Sequence, residues 1–273
     1  MTEMTQNLLD VEGIERCTIA AVAPQRVHAM AQWLLAMDGG SMGRACSAVP
    51  LSHGADNANP ALIAAIIAQY AGHGMQAKFR LPDVPAVPAF APFTAQLHAL
   101  GYRLASPTLM LTTTTAALCA ATAPAAAAND AAYAVEQANE PDEGWVNVFA
   151  KGLEPSADDL ARVSNYRRGT SVVFASLCKA NSHQANDHNM TTLAAGAAAF
   201  SHGWACVHGL NTLPAYRGQG LGSSVLAALA HAAHARGVQS VMLQVEEDNT
   251  GAQALYQRLG FSTAWRYVYW QLP

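Results

Sequence analysis

The chain has 273 residues, enough for one or two domains, and although 51% are apolar much of that is alanine, so its hydrophobicity is shallow. A net charge of −4 argues against nonspecific nucleic-acid binding, which needs a basic face. The five cysteines (Cys17, Cys46, Cys119, Cys178, Cys206) are scattered without a Cys-x-x-Cys pair, which fits reduced thiols in a cytoplasmic protein better than a disulfide framework or a zinc site.

The opening Met-Thr-Glu-Met-Thr-Gln-Asn has no basic and no apolar signal region, so no signal peptide is expected. The longest apolar run, Ala61 to Ala68, is too short to span a bilayer, and no membrane partner is expected. Pro24 to Met37 reads as a helix ending at Gly39-Gly40, and Arg44 to Leu51 as a short strand. Pro60 opens a helix over Ala61 to Ala71, where its missing N–H does no harm. Gln76 to Leu81 reads as a strand, Pro82 to Pro92 as a loop, Phe93 to Leu100 as a helix capped by Gly101, and Tyr102 to Thr113 as a strand. The Thr- and Ala-rich stretch that follows reads as a linker whose alanines also permit a helix.

Ser156 and Asp159 form a capping-box-like start, with Asp where Glu or Gln is usual, before a helix to about Tyr166. Ser171 to Leu177 reads as a strand and Lys179 to Asn189, with His183 and His188, as an exposed hairpin loop. Thr191 to Phe200 and Trp204 to Leu210 read as strands turning at His202-Gly203. A helix over Ser223 to Arg236 ends at Gly237. Val238 to Val245 reads as a strand and Trp265 to Leu272 closes the sheet.

This order of elements occurs twice. Gly74-Met75-Gln76 lines up with Gly237-Val238-Gln239, 163 residues on. Leu97 to Tyr102 lines up with Tyr256 to Phe261, 159 residues on, so a loop in the first copy is four residues longer. The spacing implies two tandem halves, residues 1–115 and 133–273, joined by a linker at 116–132.

The stretch Leu210 to Gly222 carries the chemistry. It joins a strand to a helix, and the first N–H groups of a helix have no intrahelical partner. With the helix dipole they favour an anion. Glycines let a phosphate approach the backbone, and Arg217 adds a positive charge, so taken alone the stretch reads either as a pyrophosphate cradle or as a glycine-rich turn that merely connects strand to helix. No Lys follows the glycines, so it is not a Walker A loop. A dinucleotide fingerprint begun at Gly218 fails at Ser223. The pattern that remains is Arg217-x-x-Gly220-x-Gly222. At the offset of 163 the first copy places Gly54-Ala55-Asp56-Asn57-Ala58-Asn59 there, with no Arg and an Asp that repels phosphate.

Leu210-x-Thr212, Arg217-x-x-Gly220-x-Gly222, Leu243-Gln244-Val245, Asn249-x-x-Ala252, Leu255-Tyr256 and Leu259-Gly260-Phe261 together resemble the GNAT superfamily of acyl-CoA N-acyltransferases. The resemblance covers residues 204 to 270. It implies an α/β (α+β) fold of two tandem GNAT-like domains, each a mixed central sheet flanked by helices, the first without a cofactor site.

The resemblance further implies that Leu210, Asn211 and Thr212 edge a gap for the pantetheine arm. The N–H groups of Gly218, Gln219, Gly220, Leu221, Gly222 and Ser223, with Arg217, would hold the pyrophosphate. A backbone N–H near Leu210 or Asn211 would polarise the thioester carbonyl. Tyr256 matches the usual general acid, and a phenol with a pKa of about 10 suits protonation of a leaving thiolate. Its counterpart in the first copy is Leu97. Asn249 is a loop-fixing residue with a cofactor contact, or a plain turn residue.

For the base, the acids of relatives fall on Gln244 and Cys206, which leaves His208 and Glu246 as candidates, with ordered water as a further option. His231 and His234 read as a solvated helix face rather than a metal pair, so no metal is expected. Tyr267 and Tyr269 either line the acceptor pocket or pack the sheet.

The expected activity is acetyl transfer from acetyl-CoA, as cosubstrate, to a primary amine of a small molecule or peptide, by direct attack in a ternary complex. The alternative is a CoA-binding regulatory module without catalysis. Either a monomer or a homodimer is compatible with the sequence.

Overall fold

The computed structural model describes residues 10–129, 133–180 and 190–273. The chain start, His183 and His188 lie outside the described residues.

The first half runs α1 (Val11–Val22), β1 (Arg26–Met30), β2 (Trp33–Met37), β3 (Ala48–Pro50), α2 (Leu62–Ala71), β4 (Phe79–Pro82), α3 (Ala91–Ala99) and β5 (Arg103–Thr114). Helix α4 (Thr115–Asn129) follows. The second half contains β6 (Ala134–Ala138), α5 (Glu143–Phe149), α6 (Ala157–Arg167), β7 (Val172–Ala180), β8 (Met190–Ser201) and β9 (Trp204–Thr212). It ends with α7 (Leu221–Ala235), β10 (Ser240–Glu246), α8 (Thr250–Arg258) and β11 (Ser262–Gln271).

The expected pair of mixed sheets is realised as one continuous eleven-stranded mixed sheet, ordered β1-β2-β3-β4-β11-β5-β10-β9-β8-β7-β6. The last strand of each half has crossed into the other. Strand β5 pairs antiparallel with β10, and β11 pairs antiparallel with β4. The two crossed strands pair with each other, Ser262 opposite Thr112 and Gln271 opposite Arg103, about a pseudo-twofold axis. The duplication is visible in the helices too: moved back by 159 residues, Thr250–Arg258 lands on the bounds of α3.

Two regions differ from the sequence expectation. Pro24 to Met37 is a β-hairpin rather than a helix, turning at Ala31 with φ +50°. Every residue of β2 is buried, with Trp33, Leu35 and Met37 in one core cluster and Leu34 and Ala36 in another. A strand covered on both faces shows no alternation, and its Ala, Leu and Met also suit a helix. The strand expected from Arg44 is shortened to Ala48–Pro50, because Gly43–Ala45 forms a turn of 3-10 helix.

The Ala-rich join is largely helix α4, where the Ser224 hydroxyl of α7 donates to the Ala125 carbonyl at 3.1 Å. The Ser156–Asp159 capping box opens α6 as expected. Helix α1 begins at Asp10, whose side chain accepts from the Gly13 N–H at 2.9 Å. Although α1 opens the first half, its Ile14, Cys17 and Ala21 pack into a core with Ala195, Ala197 and Cys206 of the second half. Beneath it the Glu15 carboxylate accepts two hydrogen bonds from Arg80, one at 2.9 Å, with both side chains buried.

Candidate active site

Strands β9 and β10 run parallel and pair only from Ser240/Trp204 to Leu243/Val207. Beyond that point they separate, which leaves the backbone of residues 208–212 and 244–246 unpaired with each other. A bulge in β9 opposite Ala195–Ala197 widens the split. Gly209 sits in it with φ +63°, and a Cβ there would lie 3.2 Å from the Trp145 ring, so glycine suits both the turn and the close contact. Trp145 is fixed in turn by its indole N–H, which donates to the Gly196 carbonyl at 3.0 Å.

The split opens into a cavity of about 310 Å³. Tyr256, His208 and Glu246 all line it, as do Leu210, Asn211 and Asn249. A second cavity of about 240 Å³ lies alongside and shares Met42, Arg44, Arg162, Gln244 and Glu246 with the first. Tyr267 and Tyr269 line this second space while also packing in the core.

The remaining residues of the predicted phosphate site stand at the start of α7. Gly218 and Gly220 have φ +78° and +79°, and no side chain caps the helix. The exposed Arg217 donates from Nε to the Thr212 carbonyl at 3.2 Å, tying the loop to the end of β9. Gln219 is exposed, whereas the Leu221 and Ser223 side chains are buried, and the Ser223 N–H already donates to the Gly220 carbonyl at 3.0 Å. Gly222 lies against Thr212, whose Oγ1 would be 3.5 Å from an added Cβ. This is an anion cradle by physical type: uncapped N–H groups, a favourable helix end and one guanidinium.

Tyr256 is 8% exposed and packs edge-on against Phe261, and its hydroxyl makes no hydrogen bond among the described residues. Burial pushes its phenol up to about 12, so it holds its proton at neutral pH. His208 lies 4.2 Å from the Tyr166 ring, centroid to centroid, and both its ring nitrogens lack a partner among the described residues. Burial first, and the nearby Arg44 charge second, lower its pKa to about 3. Its imidazole is therefore neutral and weakly basic. Glu246 is exposed at the mouth of both cavities.

Asn249 caps α8, its Oδ1 accepting from the Ala252 N–H at 3.2 Å. Gln244 is clamped, its Nε2 donating to Thr18 Oγ1 at 3.0 Å and its Oε1 accepting from the Tyr267 hydroxyl at 2.6 Å. Cys206 is buried beneath α1, where burial raises its thiol, and does not line the cavity. His231 and His234 sit on the exposed face of α7.

Sequence reasoning missed Met42, Arg44, Phe149, Arg162 and Tyr166 in the walls. Met42 and Arg44 come from the first half, Met42 just before the 3-10 turn and Arg44 on it, where sequence reading began a strand. No local pattern marks them, because they reach the site only through the shared sheet.

Among known proteins, the model of the Acetyltransferase (GNAT) family matches residues 174–261. A mycothiol acetyltransferase of Salinispora tropica is 46% identical over 67 residues, 24% of this chain and 22% of that protein. The chain thus spans about a fifth of the length of the curated relatives it matches. A GCN5-related N-acetyltransferase from Kribbella flavida superposes with a TM-score of 0.67 at 17% identity, over 96% of this chain and 95% of that one. A tandem GNAT protein from the clavulanic acid biosynthesis pathway gives 0.55 at 16% identity, over 96% and 94%. These two likenesses concern the fold. Residues 174–261 thus match the Acetyltransferase (GNAT) family model, within a chain that has a tandem GNAT fold.

Proposed function

We propose that the chain moves an acetyl group from acetyl-CoA to an amine in a ternary complex. The observation that carries this is the split between β9 and β10, where Tyr256, His208, Glu246, Leu210 and Asn211 meet in one cavity. The uncapped start of α7, tied by Arg217 to the end of β9, supports it.

In this reading the pyrophosphate rests on the N–H groups of residues 218–223 and on Arg217. The pantetheine arm lies in the split, using the backbone that β9 and β10 leave unpaired. Asn249 serves by fixing the start of α8. The amine nitrogen attacks the thioester carbonyl carbon, and the oxygen takes up charge against a backbone N–H near Leu210 or Asn211. The C–S bond then breaks and the thiolate takes the Tyr256 proton.

We assign removal of the amine proton to Glu246, directly or through water. A His208 imidazole with a pKa near 3 is too weak a base for that step, and its neutral nitrogens suit accepting a hydrogen bond from the incoming amine. Residues 1–115 and 133–273 act as two GNAT-like halves, of which only the second holds cofactor. The acceptor is a small molecule or peptide amine. A cytoplasmic location belongs to the same reading; no helix among the described residues is long and apolar enough to cross a membrane.

Calorimetric titration of acetyl-CoA into the purified chain tests this. One site per chain is expected, lost in Arg217→Glu. Two sites would overturn the silent first half. No binding would overturn the whole reading. Binding without turnover of any amine would favour a CoA-binding regulatory module.

A further inference from the structure

Two cavities meet at Arg44, and their charge is lopsided. In a chain of net charge −4, the second cavity is lined by Arg44, Lys78 and Arg162 against one carboxylate, Glu246. Arg162 pairs with Asp158 at 3.4 Å, and Lys78 lies over the Tyr269 ring at 5.9 Å. Arg44 has no ion pair and no hydrogen bond among the described residues. The ionisable groups that feel its charge include Tyr166, Tyr267, Tyr269, Cys206 and His208, none of them a carboxylate. Nearby Arg80 shows the contrast, since its guanidinium is neutralised by Glu15.

A half-buried guanidinium without a counterion is costly for a fold to keep, because its lost hydration is unreplaced. Here it is also held in place. Its 3-10 turn packs so closely that a Cβ on Gly43 would lie 2.7 Å from the Tyr269 ring. Beside it the buried His208 lines the first cavity, and among the described residues neither of its ring nitrogens has a hydrogen-bond partner. An unfilled polar lining of this kind is what a ligand with matching charge would complete.

We propose that Arg44 binds an oxyanion carried by the acceptor itself, so that the acceptor is an amine bearing a carboxylate or a phosphate. This rests on the acetyl-transfer reading above. The acceptor's amine would point toward Glu246 and the thioester, and its anion would lie on the Arg44 fork, with Lys78 completing the charge. Guanidinium matches both oxyanions bidentately, so the shared chemistry is the anion rather than its source.

The test is binding of paired probes to the CoA-saturated protein, by calorimetry. One arm sets the proteinogenic amino acids, β-alanine and 4-aminobutyrate against their carboxamides. The other sets phosphoethanolamine against ethanolamine. At least one anionic probe is expected to bind about tenfold or more tightly than its neutral twin, the scale of a charge-assisted hydrogen bond. The difference should vanish in Arg44→Gln and partly return in Arg44→Lys, and acetyl-CoA titration of both variants reports their folding.

The arm that shows the preference identifies the source of the anion. No preference in either arm, or a preference unchanged in Arg44→Gln, overturns the proposal. A preference for succinyl-CoA over acetyl-CoA that Arg44→Gln abolishes would move the anion to the donor and also overturn it. Failure to bind acetyl-CoA would sink the transferase reading instead, and the probe pairs can be titrated without it.

Discussion

The two halves share a plan and differ in what fills it. In the second half the parallel pair β9/β10 opens into a cavity, and α7 starts with its N–H groups uncapped. The first half is built around an aromatic core. Trp33, Phe79, Phe90 and Phe93 pack there with Ile63, Ile66 and Leu97, and Trp33 stacks on Phe93 at 5.3 Å. The equivalent of the cradle is a turn of 3-10 helix at Ala55–Ala58, after which Asn59 Oδ1 accepts from the Ala61 N–H at 3.0 Å. Helix α2, like α7, begins without a side-chain cap, so the contrast at the two helix starts lies in Arg217 and the positive-φ glycines that precede α7. The first half also lends Met42 and Arg44 to the candidate site.

The contrast can be broken at matched positions. Tyr256 and Leu97 are equivalent, one lining the cavity and one fully buried. Tyr256→Phe is expected to lower kcat by about 10²–10⁴-fold, the usual scale of a general acid, while leaving the affinity for acetyl-CoA. Steady-state kinetics beside a calorimetric titration would read both, and an unchanged kcat would remove Tyr256 from the chemistry. Leu97→Ala is expected to do the reverse. It should lower stability by about 2–5 kcal/mol, as a cavity in a packed core does, and leave acetyl-CoA affinity as it was. Denaturant melts followed by titration at a temperature where the variant is folded would show it.

A smaller effect concerns the two histidines with lowered pKa, one in each half. His208 is brought to about 3 by burial and by Arg44, and His53 to about 4 by burial and by Arg80. Both have folded values below an unfolded value of about 6.5, so below that pH the unfolded chain binds more protons. Their contribution is complete above pH 6.5 and is lost as the pH falls toward 4 for His53 and 3 for His208. Each can contribute at most about 1.4 kcal/mol per pH unit to that slope. His208→Gln should therefore make the acid limb of a stability-against-pH curve shallower, leaving the part that belongs to His53. An unaltered limb would mean that His208 is protonated in the folded chain.

Local signals were legible in the sequence because their partners are a few residues away. The capping box at Ser156 and Asp159, the turn at His202-Gly203 and the positive-φ glycines of the cradle all lie within one turn or hairpin. The cradle, Tyr256 and the split-edge residues follow one another along 204–256, so their order alone announced the site. The repeat was legible too, since equal spacing survives divergence of side chains.

The tertiary structure alone decided what depends on long-range pairing. That β5 and β11 would cross between halves is not written in either strand, because their alternation is satisfied by any antiparallel neighbour. The hairpin β1/β2 lost its sequence signature by being buried on both faces of β2. The placement of α1 on the second half, with Glu15 beneath it meeting Arg80, joins residues 65 positions apart. Arg44 became a site residue only because the shared sheet carries its turn to the mouth of a cavity built by the other half. The chain's own order set the elements and most of the chemistry. Which half would hold a cavity, and which cation would face into it, followed from packing between residues that the sequence keeps far apart.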